Sequence, residues 1–103
     1  MSYEAVFCIV NSGYSDTVME VARESGATGG TIINARGTAN GETEKLFNII
    51  VHPEKEILLI IVPKNIKEKM LKSLYAKVGI KEESQGIVFS VPVMDIAGIG
   101  EKK

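Results

Sequence analysis

The chain has 103 residues, of which 45% are hydrophobic and 24% charged, the balance of an ordinary globular protein with one core. Its net charge is −1, so it lacks the positive excess that binding to nucleic-acid phosphates requires. We expect a single domain over residues 1–103 without a nucleic-acid partner.

The cysteine content and the amino terminus bear on the cellular compartment. Cys8 is the only cysteine and lies in the apolar run AVFCIV, so we expect a buried small hydrophobe and no disulfide within the chain. The first residues, MSYEAVFCIV, lack the basic leader and cleavage site of a signal peptide. No apolar stretch of the sequence reaches the ~20 residues that span a bilayer. These features predict a cytoplasmic protein with no direct membrane insertion.

The first half of the chain predicts a strand, a helix and a second strand. EAVFCIV, residues 4–10, is rich in β-forming residues and is followed by the turn formers Asn-Ser-Gly. Ser15 is the expected N-cap of a helix that Gly26 ends as a C′ glycine. TIINAR, residues 31–36, is the second strand.

The second half predicts three more strands and one helix. LFNIIV, residues 46–51, and ILLIIV, residues 57–62, are strand candidates, and the link HPEKE between them suits a turn. A helix with apolar residues at helical spacing follows and is expected to end at Gly79. IVFSVPV, residues 87–93, is the last strand.

The order of these elements is that of a split βαββαβ unit, with an extra strand or loop inserted near residues 38–52. Such a chain forms an α+β, ferredoxin-like fold, in which two helices pack on an antiparallel sheet. The predicted strands are nearly continuous apolar runs, which is typical of a sheet covered on both faces. Two helices cover only one face, so we expect another copy of the chain to cover the second face in a homo-oligomer.

Catalytic and metal-binding chemistry is poorly represented in the sequence. The only histidine, His52, suits a solvated turn, with a general base as the alternative, and Cys8 has no histidine near it in sequence. The motifs HExxH, CxxC and GxSxG are absent, and one histidine with one cysteine does not suffice for a zinc site. We expect no catalytic residue, no metal site and no enzymatic activity.

The glycines are concentrated in GATGGTIINARGTANGE, residues 26–42. In phosphate-binding loops, glycines follow a strand and open a helix, whereas here they follow a helix and precede a strand. Their local interpretation is therefore structural. It assigns a helix cap to Gly26, close backbone passage to Gly29 and Gly30, and a flexible exit to the glycines after the second strand.

The whole arrangement nevertheless resembles the PII signal-transduction (nitrogen regulatory P-II) superfamily. The segments GATGGTIINARG, EILLIIVP and QGIVFSVPV carry the resemblance, which extends over about residues 3–99. Its most specific part is the pattern G-x-T-G-x-T at Gly26, Thr28, Gly29 and Thr31.

The resemblance implies a homotrimer that binds a small effector in clefts between subunits. It also implies control of a partner protein, a transporter or an enzyme, through a flexible loop over residues 38–52. The implied effector-binding residues are Thr28, Gly29, Gly30, Thr31, Arg36, Gly37, Thr38, Gln85 and Gly86. The implied partner-binding residues are Ala39, Asn40, Gly41, Glu42, Lys45 and Phe47.

The sequence departs from this family at the residues that hold nucleotide phosphates. Ile87 stands where the family has a lysine, and Gly98 and Gly100 stand where it has two arginines. Charge-assisted contacts contribute roughly 1.5–3 kcal/mol each, so the loss is large for a triphosphate. Arg36 and Lys45 are candidates to replace part of this charge, for ADP, AMP, ATP or a cyclic nucleotide as the effector.

Two alternatives belong to other functional classes. A trimeric, ferredoxin-like structural or assembly module without nucleotide binding is consistent with the missing cations. An enzyme of acylphosphatase type needs an arginine in a phosphate-cradling loop after the first strand, and the sequence there, VNSGYSD, contains no basic residue.

Overall fold

The computed structural model describes residues 2–38, 44–46, 49–51, 54–79 and 81–98, with the backbone alone for the two three-residue segments. The strands are β1 (Tyr3–Asn11), β2 (Thr31–Arg36), β3 (Glu44–Leu46), β4 (Ile49–Val51), β5 (Glu54–Pro63) and β6 (Ile87–Val93). The helices are α1 (Ser15–Glu24) and α2 (Lys67–Val78), the latter preceded by a 3-10 turn over Lys64–Ile66. The predicted α+β, ferredoxin-like βαββαβ order is confirmed.

Four strands form one antiparallel sheet in the order β2-β5-β1-β6. β5 begins at Glu54, so the predicted turn HPEKE is wrong in its last three residues. The reason is pairing: Ala35 and Arg36 at the end of β2 lie opposite Lys55 and Glu54, which extends the ladder beyond the apolar run. Polar residues thus begin a strand that hydrophobicity alone would start at Ile57.

The inserted segment contains a separate two-stranded sheet, in which β3 pairs with β4. Leu46 lies opposite Ile49, so the predicted continuous strand over residues 46–51 is wrong. An apolar segment of this length satisfies its backbone groups by pairing with itself rather than by joining the larger sheet. The expected insertion near residues 38–52 therefore includes a hairpin.

The hydrophobic core lies between the helices and one face of the four-stranded sheet. Alternate residues of β1 and β5 point into it, as the two-residue period of a strand requires. Cys8 is fully buried there, as predicted, and burial raises the pKa of its thiol to about 12. The main buried residues are Val6, Cys8, Val10, Val18, Ala22, Leu58, Ile60, Val62, Met70, Leu74 and Val78.

The end of α1 brings the chain into β2 with a defined direction. Gly26 has a φ of +118° and its N–H donates to the Arg23 carbonyl, while the Ala27 N–H donates to the Ala22 carbonyl. This pair of bonds is a Schellman motif, so the predicted C′ glycine is confirmed. At the other end of α1, Ser15 is already helical and no side chain caps the helix, so the predicted N-cap is wrong. None of the helices in the described ranges is long and apolar enough to cross a membrane.

Candidate functional site

The face of the sheet that points away from the helices is apolar, and none of the described residues covers it. We call it the open face. Four of its large residues are exposed: Ile33 by 43%, Ile87 by 54%, Phe89 by 43% and Val91 by 43%. Its members on the four strands are Tyr3, Ala5, Phe7, Ile9, Thr31, Ile33, Ala35, Ile57, Leu59, Ile61, Ile87, Phe89, Val91 and Val93.

The centre of the open face is an aromatic pair. The rings of Phe7 and Phe89 stack with centroids 5.0 Å apart and planes 11° from parallel. They lie directly opposite each other on β1 and β6. Exposed aromatic and branched side chains in one contiguous patch of this kind mark a surface for association.

A shallow recess opens beside the start of β2, where the glycine-rich segment enters the sheet. It has a volume of about 260 Å³ and is lined by Thr28, Gly29, Gly30, Thr31, Leu59 and Ile61. Within the described ranges, the backbone N–H groups of Thr28 and Gly29 donate to no acceptor. The recess thus presents free donors beside two apolar side chains of the open face.

The two adjacent glycines of this recess have different structural roles. A Cβ on Gly30 would lie 3.0 Å from the Met19 sulfur and 3.1 Å from Ile60 Cγ1, so close packing requires glycine there. A Cβ on Gly29 would have no heavy atom within 4 Å. The predicted close backbone passage therefore holds for Gly30, whereas Gly29 faces open space.

Arg36, Gly37 and Thr38 lie at the opposite end of β2, where the chain leaves the sheet. Arg36 is exposed and lies across the ladder from Glu54, and it forms no ion pair with any described residue. Five residues of extended chain, about 17 Å, separate it from Thr31. Its guanidinium is free to meet an anion at this edge of the sheet.

Gln85 and Gly86 belong to the loop of residues 81–86 between α2 and β6. The Val78 carbonyl accepts a bond from the Gly86 N–H at 2.6 Å and another from Ser84 Oγ at 3.0 Å. Gln85 has a φ of +52°, a left-handed conformation that is uncommon outside glycine and marks a constrained backbone. A Cβ on Gly86 would lie 2.1 Å from the Val78 oxygen, so this position accepts only glycine without a shift.

The same loop is fixed to the turn between β1 and α1. The Tyr14 hydroxyl donates to Glu83 Oε1 at 2.9 Å, and Asn11 Nδ2 donates to the Glu83 carbonyl at 3.1 Å. The bond to this carboxylate raises the pKa of Tyr14 above its usual value, with smaller contributions from desolvation and charge. Lys55 Nζ donates to Asn11 Oδ1 at 2.8 Å, so the turn also contacts the start of β5.

The structure divides the predicted effector-binding residues between separate places in one chain. Arg36, Gly37 and Thr38 share an end of the sheet with the loop of residues 81–86, but β2 and β6 are opposite edges, about 14 Å apart across three strand spacings. The recess of residues 28–31 lies towards the other end. Of the predicted partner-binding residues, only the backbone of Lys45 is described, in β3; Ala39, Asn40, Gly41, Glu42 and Phe47 lie outside the described residues, as does His52.

Sequence reasoning did not identify Asn11, Tyr14 or Glu83 as part of this region. The sequence does show the turn-forming residues after β1 and the acidic loop. No local pattern connects Asn11 with Glu83, however, because they are 72 positions apart. Their connection depends on the sheet register, which places the end of β1 beside the start of β6.

The described residues contain no group of three histidine, cysteine, aspartate or glutamate side chains that is placed to hold a metal ion. The one thiol, Cys8, is buried and protonated at neutral pH, so it is unsuited to nucleophilic chemistry. The region offers backbone donors, the exposed guanidinium of Arg36 and a constrained loop, which suit binding better than bond-breaking.

Comparison with solved structures agrees with this architecture. CPII, a nitrogen regulatory PII-like protein from Thiomonas intermedia K12 solved with ADP, AMP and bicarbonate, matches with a TM-score of 0.70 at 14% identity, over 96% of this chain and 98% of that chain. GlnK from B. subtilis, solved with ATP, matches with a TM-score of 0.72 at 14% identity, over 95% and 89%. At this identity the likeness shows a shared fold.

No curated protein matches the chain. The family is nevertheless shown by the sequence itself. The family model described as nitrogen regulatory protein P-II matches residues 4–103. Proteins of that family are signalling regulators rather than enzymes, and they typically form trimers. The chain therefore belongs to the nitrogen regulatory protein P-II family, as a PII-like signalling protein.

Proposed function

We propose that this protein is a homotrimeric, cytoplasmic sensor that binds an adenine nucleotide in the clefts between its subunits. Each chain acts as a single domain over residues 1–103. Nucleotide occupancy changes the segment of residues 38–52, which controls a partner protein, either a transporter or an enzyme.

The division of the predicted site residues supports a site shared by two chains. The recess of residues 28–31 is too far from Arg36 and from Gly86 for one small nucleotide to contact all of them within one copy. A ring of identical subunits repeats a single unlike contact, so one surface of each chain faces a different surface of its neighbour. The recess of one subunit then faces the end of the next subunit's sheet that carries Arg36 and the loop of residues 81–86.

Burial of the open face stabilises such a ring. Its exposed apolar residues are removed from water when three sheets face a common axis, at roughly 25 cal/mol per Å² of area buried. No helix of the described chain covers this face.

The charges available favour a nucleotide with few phosphates. Arg36 is a cation near the proposed cleft that pairs with none of the described residues, while Ile87, Gly98 and Gly100 provide none of the positive charge found in the family at those positions. ADP and AMP have fewer phosphates than ATP, so their negative charge needs less positive charge in the cleft to balance it. The Thiomonas protein was bound to ADP, AMP and bicarbonate, so bicarbonate belongs among the conditions to test.

Isothermal titration calorimetry with ADP, AMP, ATP, cyclic AMP and cyclic di-AMP, each with and without bicarbonate, tests this proposal. We expect micromolar binding of at least one nucleotide. Arg36→Ala is expected to weaken it by about tenfold or more, the size of one charge-assisted contact. Gly29→Val is expected to weaken it similarly, because Gly29 lines the recess and a Cβ there has no heavy atom within 4 Å, so the larger side chain takes up space meant for the ligand.

Arg23→Ala is the matched control, since Arg23 is exposed on α1, on the helix side of the sheet. Equal weakening by Arg23→Ala and Arg36→Ala would contradict the assigned cleft. Absence of heat with every nucleotide, in a protein that is still trimeric, would favour the alternative of a structural or assembly module. That alternative rests on the same open face and on the missing phosphate-binding cations.

A further inference from the structure

We propose that Asn11 and Tyr14 are positioning residues that couple the loop of residues 81–86 to the start of β5. Through them, the state of the loop determines how firmly residues 54–56 are held in the sheet. This inference deepens the proposed function, because the loop belongs to the proposed nucleotide site and the start of β5 follows the proposed partner-binding segment.

The first half of the connection holds the loop. Tyr14 Oη donates to the Glu83 carboxylate at 2.9 Å, and Asn11 Nδ2 donates to the Glu83 carbonyl at 3.1 Å. The Asn11 backbone N–H donates to the Ser84 carbonyl at 2.9 Å. Three bonds therefore join two consecutive loop residues to the turn after β1.

The second half holds the start of β5. Lys55 Nζ donates to the side-chain oxygen of Asn11 at 2.8 Å. The Ser12 N–H donates to the Glu54 carbonyl at 3.0 Å, and the Gly13 N–H donates to Glu56 Oε1 at 3.2 Å. The turn thus contacts all three residues with which β5 begins.

Asn11 is the residue that both halves share. Its amide oxygen accepts from Lys55 while its amide nitrogen donates to Glu83, so a rotation that breaks one contact displaces the other. A carboxylate or an apolar side chain at this position cannot make both contacts, since the first has no donor and the second has neither group.

The loop itself is suited to change between two arrangements. Gln85 is held at a φ of +52° by the surrounding bonds, a conformation that costs roughly 1 kcal/mol or more unless its neighbours enforce it. A ligand that contacts Gln85 and Gly86 acts directly on this constrained backbone. Movement there displaces Glu83 and Ser84, and with them the Asn11 side chain.

Hydrogen exchange of the ligand-free protein tests the connection without depending on any nucleotide. Glu83→Ala is expected to raise exchange at residues 54–56 by about threefold to tenfold, the range for one lost hydrogen bond. Glu83→Gln keeps an acceptor for Tyr14 and is expected to restore the wild-type rate. Glu82→Ala is the matched control, because the Glu82 side chain forms no hydrogen bond or ion pair with any described residue.

A double-mutant cycle identifies Asn11 as the shared residue. In an Asn11→Ala background, Glu83→Ala is expected to produce no additional exchange at residues 54–56. A further pair compares Tyr14→Phe with Tyr75→Phe. Tyr75 lies on α2 and is 51% exposed, so only Tyr14→Phe is expected to raise exchange at residues 54–56. Exchange that rises in residues 81–86 and stays unchanged at residues 54–56 in Glu83→Ala would overturn the coupling.

A second measurement connects the coupling to the ligand. If ADP binds, we expect it to change the rate of tryptic cleavage after Lys45 by at least about threefold in the wild-type chain. Asn11→Ala, measured at an ADP concentration that saturates its own binding curve, is expected to lose this change. If the wild type binds no nucleotide, the proposed function is contradicted, and the hydrogen-exchange result alone tests the coupling. If ADP binds and changes the cleavage rate of Asn11→Ala as much as that of the wild type, only the coupling is contradicted.

Discussion

Phe89→Asp is expected to convert the protein into a monomer at micromolar concentration. Phe89 is 43% exposed in the single chain and stacks on Phe7 at the centre of the open face. If the open faces of three copies meet, the new carboxylates are buried together without partners, which costs several kcal/mol in an apolar interface. The association constant should therefore fall by at least about a hundredfold, which corresponds to ~3 kcal/mol.

The measurement is light scattering on the eluting protein over a range of concentrations. Tyr75→Asp is the matched control, because Tyr75 is 51% exposed but lies on α2, away from the open face. We expect its mass to equal that of the wild type. A wild type that is already monomeric, or a Phe89→Asp variant that keeps its mass, would show that the open face does not join the subunits.

Gly86→Ala is expected to lower the free energy of unfolding by about 2–3 kcal/mol and to abolish nucleotide binding. The added Cβ would lie 2.1 Å from the Val78 oxygen and 3.2 Å from Val10 Cγ1. The backbone must move, and the bonds that Gly86 and Ser84 donate to this oxygen are then lost. Thermal and denaturant unfolding at one protein concentration measures the effect.

Gly29→Ala provides the comparison for a glycine of the same chain. Its Cβ has open space around it, so we expect a change in stability within about 0.5 kcal/mol. Equal destabilisation by the two substitutions would contradict the structural role assigned to Gly86. It would also mean that the recess beside β2 is more tightly packed than the structure indicates.

Most of the fold could be predicted from local patterns. β2 and β6 have the predicted limits, and Gly26 ends α1 as its position after an amphipathic segment indicated. The start of β5 could not be predicted, because Glu54 and Lys55 join the strand only through pairing with β2. The hairpin of β3 and β4 was missed for a similar reason, since an apolar run does not reveal whether it pairs with itself or with the main sheet.

Less of the candidate site than of the fold could be predicted from the sequence. The glycines after α1 looked structural in isolation, and the structure supports that interpretation for Gly30, which packs against Met19 and Ile60. The structure gives no such packing reason for a glycine at position 29, so a binding role for Gly29 stays a prediction. The network around Asn11 depends on strand register and loop geometry, and neither can be derived from residue types alone.

Mixing two inactive variants tests the central claim of a site shared between subunits most directly. Gly29→Val alters the recess of each chain, and Arg36→Ala alters the opposite side of the cleft. After subunit exchange in an equal mixture, about a quarter of the clefts should combine an intact recess with an intact Arg36, because each interface joins unlike surfaces of two chains. We expect calorimetry to recover wild-type affinity at about that fraction of sites. No recovery from subunits that demonstrably exchange would place each binding site within one chain and contradict the account.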